Sequence, residues 1–120
     1  MGDIELFTTV GSSEALLKLL AVYQGTNGYR PNPFAIWSKI AAYVRAGGEY
    51  RFYPLSECKS EDPGGRFRDD LGELIGYGFL RPLDNGDIEV TPEGQSWVST
   101  LALPKSLTDL GTQIAIHDSE

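Results

Sequence analysis

The stretch from Gly78 to Gly94 constrains this chain more than any other. It holds a glycine, two short extended runs either side of Asn85-Gly86, and then Thr91-Pro92-Glu93. Asp84-Asn85-Gly86-Asp87 predicts a tight hairpin, because Asn-Gly supplies the positive backbone angles that a two-residue type I′ turn requires. Phe79-Leu80-Arg81-Pro82-Leu83 leads into the turn, and Ile88-Glu89-Val90 alternates on the return strand. Thr91 then reads as a helix cap. Pro92 takes the first helical position, where a missing N–H costs nothing, and Glu93 suits the helix dipole.

Helices are predicted on both sides of this hairpin. From about residue 66 to 77, Phe67, Leu71, Leu74 and Ile75 form one apolar face, and Gly78 stops the helix. At 100° per residue, Arg66, Asp69, Glu73 and Gly76 then point outward, with Arg68 flanking. Upstream, Asn32-Pro33 caps and opens a helix carrying Phe34, Trp37, Ile40, Ala41 and Val44, ended by Ala46-Gly47-Gly48. Glu49 to Tyr53 alternates polar and aromatic residues and reads as a short strand stopped by Pro54, and Leu55 to Ser60 as one or two helical turns. Asp62-Pro63-Gly64-Gly65 reads as a loop. Beyond Thr91, Trp97, Val98 and Leu101 give an apolar face, Ser106 to Ile116 a last short helix, and Asp118-Ser119-Glu120 a solvated tail.

The N-terminal helix poses a different question. Ser12 or Ser13 is its cap, and from Ala15 to Tyr23 the apolar residues leave almost no polar stripe before the turn cluster Gly25-Thr26-Asn27-Gly28. A helix apolar nearly all round must be covered on more than one side. Two covers are open: the chain itself, or another chain, whether a protein partner or a second copy meeting Leu16, Leu19, Leu20 and Tyr23 in a homodimer.

Composition excludes several classes. A length of 120 residues fits one domain, and 41% hydrophobic content can build a core. The single cysteine, Cys58, excludes an internal disulfide, and with the single histidine, His117, no Cys/His zinc site assembles. The longest apolar run is far too short to span a membrane, and an acidic N-terminus with Leu6 at position six fits neither a signal peptide nor a myristoylation signal, so a cytoplasmic location is expected. No cofactor and no enzymatic activity are expected. His117 reads as a tail residue, Cys58 as a packing residue without a base partner, and Glu61, Asp62, Asp69 and Asp70 as a solvated polar face rather than cation ligands. Gly76-x-Gly78 is helix termination. Tyr50, Phe52 and Tyr53 beside Arg51 read as edge-strand packing rather than a base-stacking platform, and Trp37 and Trp97 as core.

The order of elements resembles a winged helix, that is, a winged helix-turn-helix. The resemblance rests on Leu71-x-x-Leu74-Ile75-x-x-Gly78-Phe79-Leu80 followed by Ile88-x-Val90-Thr91-Pro92-Glu93-Gly94, and bacterial regulators of the broad MarR/PadR kind are similar there. It implies a mostly α fold with a small β-hairpin (α+β) over residues 1–120, with a helical extension at about 12–24, a winged-helix core at about 33–103, and a C-terminal helix and tail at 104–120. The helix at 66–77 becomes the recognition helix, and Pro82 to Glu89 the wing. Double-stranded DNA is then the expected ligand of a dimeric, non-enzymatic, DNA-associated transcription regulator. Its candidate contact residues are Arg66, Arg68, Asp69, Glu73, Arg81, Asn85 and Asp87.

Charge departs from that pattern. The formal net charge is −7, and the acid gathers toward the C-terminus. Over residues 64–91, the three arginines 66, 68 and 81 face six carboxylates at 69, 70, 73, 84, 87 and 89. Duplex affinity comes largely from basic groups that displace counterions at phosphates. In a dimer, Lys59 and Arg51 add to the supply, and an arginine can still read guanine edges. The alternative is a winged-helix adaptor whose acidic wing and helix dock a basic protein partner, within a nucleic-acid-handling complex.

Overall fold

The computed structural model describes residues 11–28, 30–48, 50, 52–59, 63–101, 103 and 105–119. Helix α1 (Ser12–Asn27) is followed by α2 (Pro33–Arg45), the single turn α3 (Leu55–Cys58) and α4 (Gly65–Gly76). Strands β1 (Leu80–Pro82) and β2 (Ile88–Val90) precede α5 (Pro92–Thr100) and α6 (Lys105–Ser119). The fold is mostly α with a small antiparallel hairpin, and this arrangement is compatible with a winged helix.

Local chemistry accounts for most boundaries. The Asn32 side chain accepts from Phe34 N at 3.0 Å and Ala35 N at 3.4 Å, satisfying two orphan amides at the start of α2. Thr91 Oγ1 accepts from Gly94 N at 3.1 Å to cap α5, and donates to Gly78 O at 2.6 Å, tying that cap to the end of α4. At α1 the expected serine cap does not form. Gly11 is the N-cap, and Ser12 Oγ, inside the helix, donates to Asp70 instead. The expected turn at 25–28 is mostly helix: α1 runs on to Asn27 and ends where Gly28 takes φ 73°. Helix α6 also runs further than expected, through residues 117–119.

The hairpin pairs Leu80 with Val90, Arg81 with Glu89 and Pro82 with Ile88. Its turn is not the two-residue type I′ form. Gly86 N donates to Leu83 O at 3.0 Å and Leu83 N to Asp87 O at 2.8 Å, which encloses a three-residue loop. Only Gly86 in that loop has a positive φ, at 92°, so Asn85 never enters the left-handed region. A turn with negative central angles followed by a left-handed glycine bulge is the next commonest hairpin solution. Asn85 takes a different role, its Oδ1 accepting from Asp87 N at 3.0 Å.

Helix α1 is the centre of the core. Ala15, Leu16, Leu17, Leu19 and Leu20 are fully buried, and α1 packs on α6, α4, α5 and β2. The chain itself therefore covers the all-round apolar helix, and Leu16, Leu19, Leu20 and Tyr23 lie in its interior rather than on a surface open to a second copy. A close approach makes the α1–α6 contact possible: a Cβ at Gly111 would press on Val22.

A second cluster joins α2 to α4. Trp37 meets Phe67 at 5.3 Å and Tyr53 at 5.9 Å between ring centroids, and Tyr53 stacks on Tyr50 at 5.1 Å. The expected strand at 49–53 is absent among the described residues. Tyr53 N donates to Tyr50 O in a turn, and Tyr50, Phe52 and Tyr53 are all buried. The alternating aromatics mimic a strand pattern, but a turn packs all three inward, where each pair adds about 0.5–1.5 kcal/mol beyond its area. The face of α2 is also rotated from the expected stripe: Ile36 is buried and Phe34 is exposed.

Candidate functional site

The outward face of α4 carries most of the expected contact residues. Arg66, Arg68, Asp69 and Glu73 are all exposed, and α4 begins one residue before its expected start, at Gly65. Arg66 Nη1 donates to Phe52 O at 3.4 Å, so that guanidinium is partly engaged with its own chain. Two details differ from the expected helix. Ile75, placed on the inner face, is 38% exposed, while Asp70, placed on a solvated face, is only 8% exposed.

Asp70 is held inside by two hydroxyls. Tyr53 Oη donates to Oδ2 at 2.7 Å and Ser12 Oγ to Oδ1 at 2.9 Å, so one carboxylate links α1, α4 and the aromatic turn. Burial raises its pKa, and the two hydrogen bonds oppose that rise. Burial likewise pushes the Tyr50 and Tyr53 phenols and the Cys58 thiol upward, so all three stay protonated at neutral pH. Cys58 is fully buried, its Sγ donating to Tyr53 O at 3.5 Å, which fits the packing role expected of it.

On the hairpin the remaining candidates are paired off. Arg81 Nη2 donates to Glu89 Oε1 at 2.8 Å, and Arg30 donates to Glu89 Oε2 from Nε at 2.9 Å and Nη2 at 2.7 Å. Hydrogen bonding from Arg30 in particular holds the Glu89 carboxyl below its ordinary value. Asp87 accepts from Asn85 Nδ2 at 3.0 Å and Asn32 Nδ2 at 3.3 Å. Asn85 and Asp87 thus fasten the hairpin tip to the cap of α2, and Arg30, which sequence reasoning did not single out, joins Arg81 around one carboxylate. Arg51, Glu61 and Asp62 lie outside the described residues, as does the side chain of His117; Lys59 is exposed.

A cleft of about 610 Å³ opens where the start of α1 meets the end of α4. Glu14, Asp70 and Glu73 line it together with Tyr77, Phe79 and Trp97. The rings form a continuous stack: Tyr77 lies 5.7 Å from Phe79 and Phe79 lies 5.7 Å from Trp97, with interplanar angles of 30° and 12°. Trp97, expected in the core, is 41% exposed, and Tyr77 is 68% exposed. Helical spacing places Trp97 near Val98, but Gly94 draws α5 so close to the Phe79 carbonyl that the indole lies over Phe79 at the surface. Of the residues lining this cleft, Glu73 alone is an expected contact residue, while Asp70 and Trp97 carry other expectations, a solvated face and the core. Tyr77 and Phe79 are close in sequence, but Trp97 joins them only through the fold.

Comparison with known protein families, with curated proteins and with solved structures finds no match for this chain.

Proposed function

We propose that the chain is a non-enzymatic recognition module of winged-helix type that works as a protein–protein adaptor, docking a basic partner through α4 and the hairpin. One observation carries this reading. Three of the four described arginines on this side of the molecule are engaged within the chain, Arg30 and Arg81 with Glu89 and Arg66 with Phe52 O, which leaves Arg68 against exposed Asp69, Glu73 and Asp84. Unit charges of like sign near a phosphate backbone repel, and counterion release cannot offset that without free lysines and arginines. The same carboxylates steer a basic protein inward. The test is affinity copurification from the native host, scored for protein and nucleic acid, with wild type and an Asp69→Lys/Glu73→Lys variant. A basic protein captured by the wild type and lost from the variant supports the adaptor; unchanged capture sinks it.

A second reading, a DNA-associated transcription regulator, is favoured by Arg68, exposed on the first half of α4 beside Arg66. It requires tight, steeply salt-dependent duplex binding that Arg66→Ala and Arg68→Ala weaken. Absence of duplex binding at low salt removes it.

A further inference from the structure

The cleft between α1 and α4 has a chemistry of its own. Its volume of about 610 Å³ lies within the roughly 300–1,000 Å³ of ligand sites. None of the described residues lining it is a lysine or arginine, whereas Glu14, Asp70 and Glu73 are carboxylates. Asp70 is satisfied by Ser12 and Tyr53, and Glu14 Oε2 accepts only a long bond from Ser13 Oγ at 3.4 Å, so Glu73 and Glu14 keep oxygens to meet an incoming group. The N-terminus of α1 also opens here, with no side-chain cap. A helix end is worth about half a positive charge, so it does not reverse the sign of a site holding several carboxylates. A neutral apolar ligand would bury those carboxylates without a partner, and an anion would be repelled.

The aromatic wall narrows the choice further. Tyr77, Phe79 and Trp97 offer a flat stack, and a second depression of about 520 Å³ shares Phe79 and Trp97 and adds Glu93. The two depressions make a groove, suited to an extended segment rather than to an isolated ion. A guanidinium is planar, stacks on aromatic faces and pairs with carboxylates through a fixed fork of donors; an ammonium does only the pairing well.

We propose that this groove captures an arginine side chain from a basic segment of the partner protein, with its guanidinium laid on the Tyr77–Phe79–Trp97 stack and paired to Glu73 and Glu14. The proposal rests on the adaptor reading and names the chemistry that the adaptor recognises. Binding of fluorescein-labelled hexa-arginine and hexa-lysine peptides, followed by polarisation at low and moderate salt, tests it on the full chain. The expected result is hexa-arginine binding severalfold tighter than hexa-lysine. Glu73→Gln and Trp97→Leu should each weaken hexa-arginine by about threefold or more, with Asp109→Asn, a charge-matched change on α6, leaving it unaltered. Circular dichroism confirms that each variant is folded, and Tyr77→Ala, at a more exposed ring, gives a second reading of the stack. If Asp84→Asn on the hairpin weakens binding while Glu73→Gln and Trp97→Leu do not, the groove is not the site although the adaptor stands. If neither peptide binds, or if a duplex binds instead, adaptor and groove fall together. Equal affinity for the two peptides overturns the stacked guanidinium.

Discussion

Tyr53 donates its phenol proton to Asp70 Oδ2 at 2.7 Å, in a core where that carboxylate also receives Ser12. The consequence is a pH dependence of known sign. Burial raises the folded-state pKa of Asp70, so the folded chain holds this proton more tightly than the unfolded chain, whose aspartates titrate near about 3.9. The stability tied to the protonated acid is fully present below that value and is lost as pH rises through the raised folded value. Asp70→Asn keeps both contacts, since each hydroxyl can reverse its role, and removes the buried charge. Its melting temperature should match or exceed wild type at pH 7, with the advantage shrinking on acidification. Asp70→Ala instead strands the Tyr53 hydroxyl and should cost about 1–3 kcal/mol. Thermal unfolding of the three proteins between acid and neutral pH checks both; an Asp70→Asn protein clearly less stable than wild type at pH 7 contradicts the account.

The neighbouring tyrosine predicts the opposite outcome for a similar change. The Tyr50 hydroxyl is buried and finds no hydrogen-bond partner among the described residues, while its ring stacks on Tyr53. Tyr50→Phe keeps the ring and deletes an unsatisfied polar atom, so it should be neutral or stabilising by about 1 kcal/mol. Tyr53→Phe deletes a satisfied donor and leaves Asp70 short of one bond, so it should destabilise by about 1–3 kcal/mol. Urea unfolding of the pair reads the contrast directly, and equal losses would contradict it.

Gly94 and Thr91 hold the hairpin against α5 by different means. A Cβ at Gly94 would strike the carbonyl of Phe79, which is backbone and cannot turn aside. Gly94→Ala should therefore destabilise by about 1–3 kcal/mol despite the better helix propensity of alanine. Thr91→Ala removes both the cap on Gly94 N and the bond to Gly78 O, for a loss of about 1–2 kcal/mol. Since both act on one junction, the double variant should lose less than the two single losses combined, which equilibrium unfolding of all three measures.

These junction residues were legible in the sequence because capping and tight turns depend on a few neighbours. Asn32-Pro33, Thr91-Pro92, Gly78 and Gly86 all mark boundaries in the structure. What escaped depends on distant partners. Ser12 has the composition of a cap, but Asp70, fifty-eight residues away, captures its hydroxyl. Asp70 resembles its exposed neighbour Asp69 until Tyr53 is folded over it. The strand pattern at 49–53 marks three buried aromatics, and only the packing of α2 on α4 decides that they sit in a turn. Trp97 is a core residue by periodicity and a surface residue once the close contact at Gly94 sets the position of α5. The cleft joins the start of α1 to the ends of α4 and α5, a meeting that no local pattern encodes.

Glu89 sits between two arginines and offers a direct probe of the charged hairpin. Its carboxyl is held below the ordinary value by Arg30 and Arg81, so its contribution is present above the unfolded-state value and is lost only as pH falls through the lowered one. Because both arginines are open to solvent, Glu89→Gln should change the melting temperature little at neutral pH. It should, however, release Arg30 and Arg81 from their neutralising partner. Retention on a heparin column is expected to increase, and the salt dependence of that retention should steepen by about one to two released counterions. If the variant also gains measurable duplex affinity that the wild type lacks, Glu89 is the residue that keeps this hairpin off nucleic acid. If retention does not change, the two arginines are not available to a polyanion even when freed, and the acidity of Asp84 and Asp87 governs the surface by itself.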